Sequence, residues 1–286
     1  MSADIITPFA FESFPVRGAL IHLERSWRRM QSGHDYDDLT REVLGHAAAA
    51  TTLIAQSLKF DGQITLQIHG SSMLQMLVMQ CTSAMDIRGM AVTNTDEAAG
   101  SFSDLTANAH CAITVDAGER PYQGIVAIQG ESLAESLEHY FDRSVQVPSI
   151  VALVSSKQVS GGLLLQQMPG QPVDDDDWNR IRFLAATLQA KDLKRDTGMD
   201  LIRKIFAEDD IRVHASRAVI FNCRCSGQKV EDILRMLGEK ESRAALAEQE
   251  RIEVTCEYCG RRRYFDIVDV ERLFADNVVS GPDSVQ

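Results

Sequence analysis

The sequence is short of long hydrophobic runs. No window reaches the roughly 18 unbroken apolar residues that a membrane span requires, so no membrane partner is expected. Positive charge is also scarce: 29 Lys and Arg stand against 41 Asp and Glu, a formal net charge of -12. A chain built to grip phosphate backbones clusters Lys and Arg on a basic face, so nucleic acid is not the expected partner. The opening MSADIITPFAFESF has no basic region followed by an apolar stretch. No secretory signal is read there, and the cytoplasm, a reducing compartment, is the expected location. There is no GxxxxGK[ST] and no GxGxxG after a strand, which argues against nucleotide binding and hydrolysis, and neither HExxH nor GxSxG occurs. The histidines, at 22, 34, 46, 69, 110, 139 and 214, are scattered singly and read as surface or core residues rather than ligands. An enzyme is not expected.

What is present is ordinary in bulk. With 286 residues, 44% hydrophobic and 24% charged, the chain can bury one large core or two unequal ones without disulfide staples. REVLGHAAAATTLIAQSLKF repeats apolar residues at helical spacing (Val43, Leu44, Ala47, Ile54, Leu58) and predicts a long helix from about residue 36. Asp61 and Gly62 then break the pattern, and Ile64, Leu66 and Ile68 alternate with Thr65 and Gln67 as in a half-buried strand. Strand-like runs follow at IRGMAVTN, HCAITVDAG, YQGIVAIQG and GGLLLQQMPG. Between them Ser132 and Glu135 suggest a capping box, ahead of a helix whose apolar face is Leu133, Leu137, Tyr140 and Phe141. Helices and strands without regular alternation predict the α+β class. The expected plan is a large N-terminal α+β domain, residues 1–172, then a helical linker, 173–222, and a small C-terminal zinc-binding domain, 223–286.

The linker opens on the acidic turn QPVDDDDWNR. Trp178, Ile181, Ala185 and Leu188 mark one helical face, and Leu201, Ile202, Ile205 and Phe206 another. With many opposite charges and few large apolar groups, such a segment is ordered when docked and loose when not, because its own apolar area hardly offsets its ordering entropy.

Four of the six cysteines fall in two tight pairs, FNCRCSG and CEYCG, with thirty residues between Cys225 and Cys256. Residues two apart on an extended chain point the same way, so Cys223 and Cys225 present both sulfurs to one point. The spacing of Cys256 and Cys259, followed by Gly260, suits a tight knuckle. Four sulfurs in tetrahedral array select zinc, or less often an iron-sulfur centre. Val230, Ile233, Leu234 and Leu237 form a helical stripe between the pairs, Gly238 a stop, RIEVTC a strand and DVERLF a closing helix. A module this small relies on its metal for folding energy, on the order of 10 to 16 kcal/mol in zinc-finger peptides. Thiolates are also what peroxide attacks, and Arg224, Arg261, Arg262 and Arg263 flank them. Cys81 and Cys111 lie outside the motif and read as buried core thiols.

The combination of CRC and CEYCG behind LKFDGQITLQIHG, YQGIVAIQGESLAESLEHYFDRSVQVPS and GGLLLQQMPG resembles the heat-shock protein 33 family of redox-regulated holdase chaperones over nearly the whole chain. The resemblance implies that Cys223, Cys225, Cys256 and Cys259 hold one Zn2+ per chain in a reduced, inactive form. It further implies that oxidants join Cys223 with Cys225 and Cys256 with Cys259, that zinc leaves, and that the linker unfolds. Unfolding client proteins are then bound without nucleotide, with homodimerisation accompanying full activity. Two alternatives come from the residues themselves. One is a zinc-knuckle nucleic-acid-binding protein using Arg261 to Arg263; the other is a thiol oxidoreductase using the CEYC pair.

Overall fold

In the computed structural model residues 4–94, 99–118, 121–170, 173–196 and 198–275 are described. The expected domain end at Pro172 and the last residues of the C-terminal region, 276–286, lie outside them. The chain divides into two compact units with the boundary between Asn222 and Cys223.

The first unit begins with two strands where the sequence suggested no element, Ile5–Phe11 (β1) and Val16–Leu23 (β2). Helix Arg25–Gln31 (α1) follows; the Asp4 carboxylate accepts from the amides of Glu24, Arg25 and Ser26 at 2.6, 2.9 and 2.5 Å, satisfying donors that a helix start leaves open. The predicted long helix is Asp38–Ser57 (α2), capped by Asp37, which accepts from the Thr40 amide at 2.8 Å. Next come Gln63–His69 (β3), Leu74–Thr82 (β4), Asp86–Thr93 (β5), the short helix Phe102–Leu105 (α3), His110–Asp116 (β6) and Tyr122–Val126 (β7). Leu133–Tyr140 (α4) is capped by Ser132 as expected, but Glu135 reaches back to the Glu131 amide at 2.9 Å, so the box is not closed on Ser132 itself. Ser160–Gln167 (β9) is the expected GGLLLQQ strand, whereas its partner Ser149–Ser155 (β8), like β4, was not anticipated. The remainder is helical, Asp175–Ala185 (α5), Ala190–Leu193 (α6) and Gly198–Ile205 (α7), then three short strands, Ile211–Val213 (β10), Arg217–Ala218 (β11) and Ile220–Phe221 (β12).

Two sheets result. One runs β10-β1-β2-β9-β8, with β11 also on β1; the other runs β12-β5-β4-β3-β6-β7, antiparallel except for β12 on β5. Helix α2 packs against strands of both sheets, and Ala47 to Ala50 are buried there; small side chains allow close approach on either side. This inner core includes Ile21, Leu44, Leu53, Leu66 and Met79. The first sheet is also covered on its other face. There Phe9, Phe11, Leu20, Leu163 and Leu165 pack with Ile181, Leu188, Leu193, Leu201, Ile202 and Phe206 from α5 to α7 and their connections. Burial on both faces explains why β9 reads as a continuous apolar run: Leu164 points to the inner core and its neighbours to the outer one. Most of the large apolar groups of 173–222 are used in this way, while Phe183, Met199 and Ile220 stay exposed.

Docking of this segment depends on two close approaches. A Cβ on Gly161 of β9 would meet Leu193 Cδ1 at 2.6 Å, and one on Gly198 of α7 would meet Thr7 Oγ1 at 2.7 Å. Polar ties add to it: Arg182 of α5 donates to Glu138 of α4 at 2.6 Å, and Arg180 forms a two-pronged pair with Asp209 at 2.6 and 3.0 Å. The α+β expectation holds.

The second unit comprises Gly227–Leu237 (α8), Glu239–Glu248 (α9), a hairpin of Ile252–Thr255 (β13) and Arg262–Phe265 (β14), and Ile267–Ala275 (α10). Helix α9 was not anticipated. The expected stripe of α8 is corrected to half its width: Val230 and Leu234 are buried, whereas Ile233 and Leu237 are 56% and 51% exposed. The module's own core offers α8 only a narrow seat, with Phe265, Val270 and Leu273 beneath it.

Candidate metal centre

The two cysteine pairs reach one point by different local routes. Cys223 and Cys225 follow β12 directly, and the run ends where Ser226 caps α8 by accepting from the Lys229 amide at 3.2 Å. The chain entering Cys223 is held within the first unit: Phe221 N–H donates to Ser26 Oγ at 2.9 Å, and the Asn222 amide donates to the Ile87 carbonyl at 3.0 Å. Cys256 and Cys259 sit in the turn of the β13–β14 hairpin. The amides of Cys259 and Gly260 donate to the Cys256 carbonyl at 3.3 and 2.8 Å, and the Cys256 amide to the Arg261 carbonyl at 2.9 Å. Gly260, at φ +65, supplies the left-handed conformation that closes the knuckle.

The sulfurs converge. Cys223 Sγ lies 3.6 Å from Cys256 Sγ and Cys225 Sγ 3.4 Å from Cys259 Sγ, and all four lie within 4.8 Å of one another. A tetrahedral ion with metal–sulfur bonds near 2.3 Å separates its sulfurs by about 3.8 Å, so the cluster suits one ion with little rearrangement. All four are free thiols, Cys259 buried and the others half-buried. Burial pushes Cys223 up to about 12 and raises Cys225. Burial acts on Cys259 in the same sense, but hydrogen bonds from the Arg261 backbone and from Cys225, Cys223 and Cys256 outweigh it and lower that thiol. Desolvation thus opposes ionisation of Cys223 and Cys225, and a bound cation would offset that cost.

The flanking arginines are not an isolated basic face: Arg262 pairs with Glu253 at 3.3 Å. Cys81 and Cys111 are buried in β4 and β6, where desolvation pushes both thiols up to about 12; they are core residues, as expected. What the sequence did not disclose is the clamp of β12 on β5 immediately before the first sulfur. Two-residue strands leave no periodicity to read.

The fold and this site together define a class: an α+β protein that carries an appended module with four thiols clustered at metal-ligand spacing. A family model for the Hsp33 protein matches residues 4–266. The chain is 39% identical over 282 residues to the 33 kDa chaperonin of Methylobacillus flagellatus, covering 97% of this chain and 96% of that one. It is 38% identical over 276 residues to the 33 kDa chaperonin of Nitrosococcus oceani, covering 96% of each. The crystal structure of the 33 kDa chaperonin from Thermotoga maritima superposes with a TM-score of 0.80 over 96% of this chain and 99% of that one, at 22% identity, and so shares the fold. The chain belongs to the Hsp33 family, a family of chaperones. The relatives are named chaperonins, not enzymes. No helix of the described residues is long and apolar enough to cross a membrane.

Proposed function

We propose that the chain is an ATP-independent holdase of the cytoplasm whose binding of unfolding proteins is gated by the oxidation state of Cys223, Cys225, Cys256 and Cys259. The observation that carries this reading is one of placement: the segment that covers the outer apolar face of the first sheet leads directly into the first sulfur of the cluster. In the reduced state the four thiolates hold one Zn2+, the ion a sulfur-only tetrahedral donor set selects. When bound, zinc supplies the cross-link that keeps the small module folded.

Oxidation removes donors. A thiolate attacks one peroxide oxygen, the O–O bond breaks and hydroxide leaves, giving a sulfenic acid; a second thiol attacks that sulfur and water departs. Each peroxide thus takes two electrons and leaves one disulfide. As the family resemblance implies, Cys223 joins Cys225 and Cys256 joins Cys259; partners two and three positions apart stay tethered once the cluster has loosened. With the module unfolded, residues 173–222 lose their anchor and leave the sheet. Phe9, Phe11, Leu20, Leu163 and Leu165 then form an apolar surface for other unfolded chains. Homodimerisation accompanies this state, since such a surface also suits a second copy.

The test is treatment of the zinc-loaded protein with peroxide, following metal release, free thiols and suppression of client aggregation without nucleotide. Release of one zinc with loss of four thiols and gain of holdase activity is expected, and a Cys223→Ser, Cys225→Ser protein should not be switched by oxidant. Retained zinc, or oxidised protein that holds no client, rejects the reading.

A further inference from the structure

Strand register brings together three metal-ligating side chains that are scattered in sequence. β3 pairs with β6 so that His69 stands opposite His110, and with β4 so that His69 stands opposite Met76. Directly opposed residues of antiparallel strands project from the same face with Cβ atoms about 4.5 to 5.5 Å apart. Met76, His69 and His110 therefore form one row across three neighbouring strands.

The row is on the outer face of the second sheet. Ile64, Leu66 and Ile68 of β3 point into the core, so His69 points out with the intervening residues. Both histidines are exposed, and Met76 is 41% exposed. A bulge between Leu74 and Met76 leaves Gln75 and Met76 both exposed in succession; bulges commonly re-aim a side chain in this way. The two imidazoles already face one another, with ring centres 6.0 Å apart and planes at 70°. One ion bound by two imidazoles at about 2.0 to 2.1 Å places the ring centres roughly 5 to 6 Å apart, so small rotations suffice. Among the described residues no carboxylate or thiol joins the pair to make a larger cluster.

We propose that His69, His110 and Met76 form a second metal site, separate from the four-thiol centre, that takes monovalent copper. The donor set selects the ion: a thioether is a soft ligand that favours Cu+, imidazole accepts copper as readily, and nothing here attracts hard, oxygen-seeking cations. The imidazole nitrogens and the thioether bind as neutral groups.

The experiment uses the full-length chain with Cys223, Cys225, Cys256 and Cys259 all changed to Ser, so that thiols do not compete. Cu+ is offered anaerobically as its bicinchoninate complex, and transfer is read from loss of the chelator's colour. One Cu+ per chain is expected. His69→Ala and His110→Ala should each weaken binding at least tenfold, Met76→Leu about threefold or more, and His214→Ala, a lone exposed histidine, not at all. Equal binding by the His69→Ala and His110→Ala chains, or no transfer to a folded four-serine chain, overturns the site. Should the four-serine chain not fold, the wild-type chain already holding one equivalent of Zn2+ is offered Cu+ in the same way, with zinc release followed in parallel. An equivalent of Cu+ bound with zinc retained, and lost in both histidine variants, supports the imidazole pair, and its absence or its persistence in them overturns the proposal.

Discussion

Around helix α2 the first unit buries Trp27, Leu44, Leu53 and Leu66 to 1% exposure or less between two six-stranded sheets, while the second unit closes on five buried apolar residues, Val230, Leu234, Phe265, Val270 and Leu273. The first kind of core holds itself together by contact area. The second is far smaller, and the four sulfurs tie residues 223–225 to 256–259 at its edge. Stability that is spread over a core is hard to remove, whereas stability placed in four sulfurs can be withdrawn by one chemical event. Between these extremes lies the outer layer of the first unit, where α5 to α7 pack on one face of a sheet whose strands hydrogen-bond to one another.

The contrast is broken most forcefully by chelation. Stripping the reduced chain of metal should abolish amide protection across residues 223–275, a loss on the order of 10 kcal/mol for the module, while β3 to β6 keep theirs in hydrogen exchange. A metal-free module that stays protected would mean that its five-residue core suffices.

Acid should act on the two units by different routes. In the module, on the proposed function, protons would displace the ion from its thiolates. In the first unit, burial lowers the His46 imidazole on α2 to about 4. Its depressed value means the unfolded chain takes up a proton first as pH falls. The stability that neutral His46 permits is complete above about 6.5 and is lost as pH drops toward 4, by at most about 3 kcal/mol. Urea titrations of the first unit's transition between pH 7 and 4 should show this slope, flattened in His46→Gln.

Gly198→Ala tests the intermediate layer. Its new methyl meets Thr7, so docking of α7 should weaken by about 1 to 3 kcal/mol, with faster exchange confined to residues 175–206 and metal content unchanged. Uniform destabilisation would show that this layer is part of the main core. The smallest effect is expected at Cys81 and Cys111. Desolvation keeps both as thiols, so iodoacetamide should label the four cluster cysteines of metal-free native protein and spare these two until the first unit unfolds.

Local pattern made several features legible. The Asp37-capped helix, the alternation of β3, the Ser132 cap and the hairpin knuckle all depend on residues within a few positions of one another. The pairing of CRC with CEYCG was also readable, because four cysteines in a chain otherwise poor in them have few other uses. Residues 5–23 stayed silent, since β1 and β2 are covered on both faces and lose the alternation that marks a half-buried strand. The α8 stripe misled in the other direction: helical spacing shows which residues share a face, and not how wide a partner that face will meet.

By itself the sequence determined the element types, the sulfur donor set and the spacing within each pair, because backbone geometry over a few residues is set by neighbours along the chain. Only the tertiary structure decided that thirty residues fold back to bring the pairs within 4.8 Å, that α5 to α7 lie on the first sheet, and that Met76, His69 and His110 share one row. Those outcomes depend on register and packing between distant segments, whose free energies are collective and are not written at any single position.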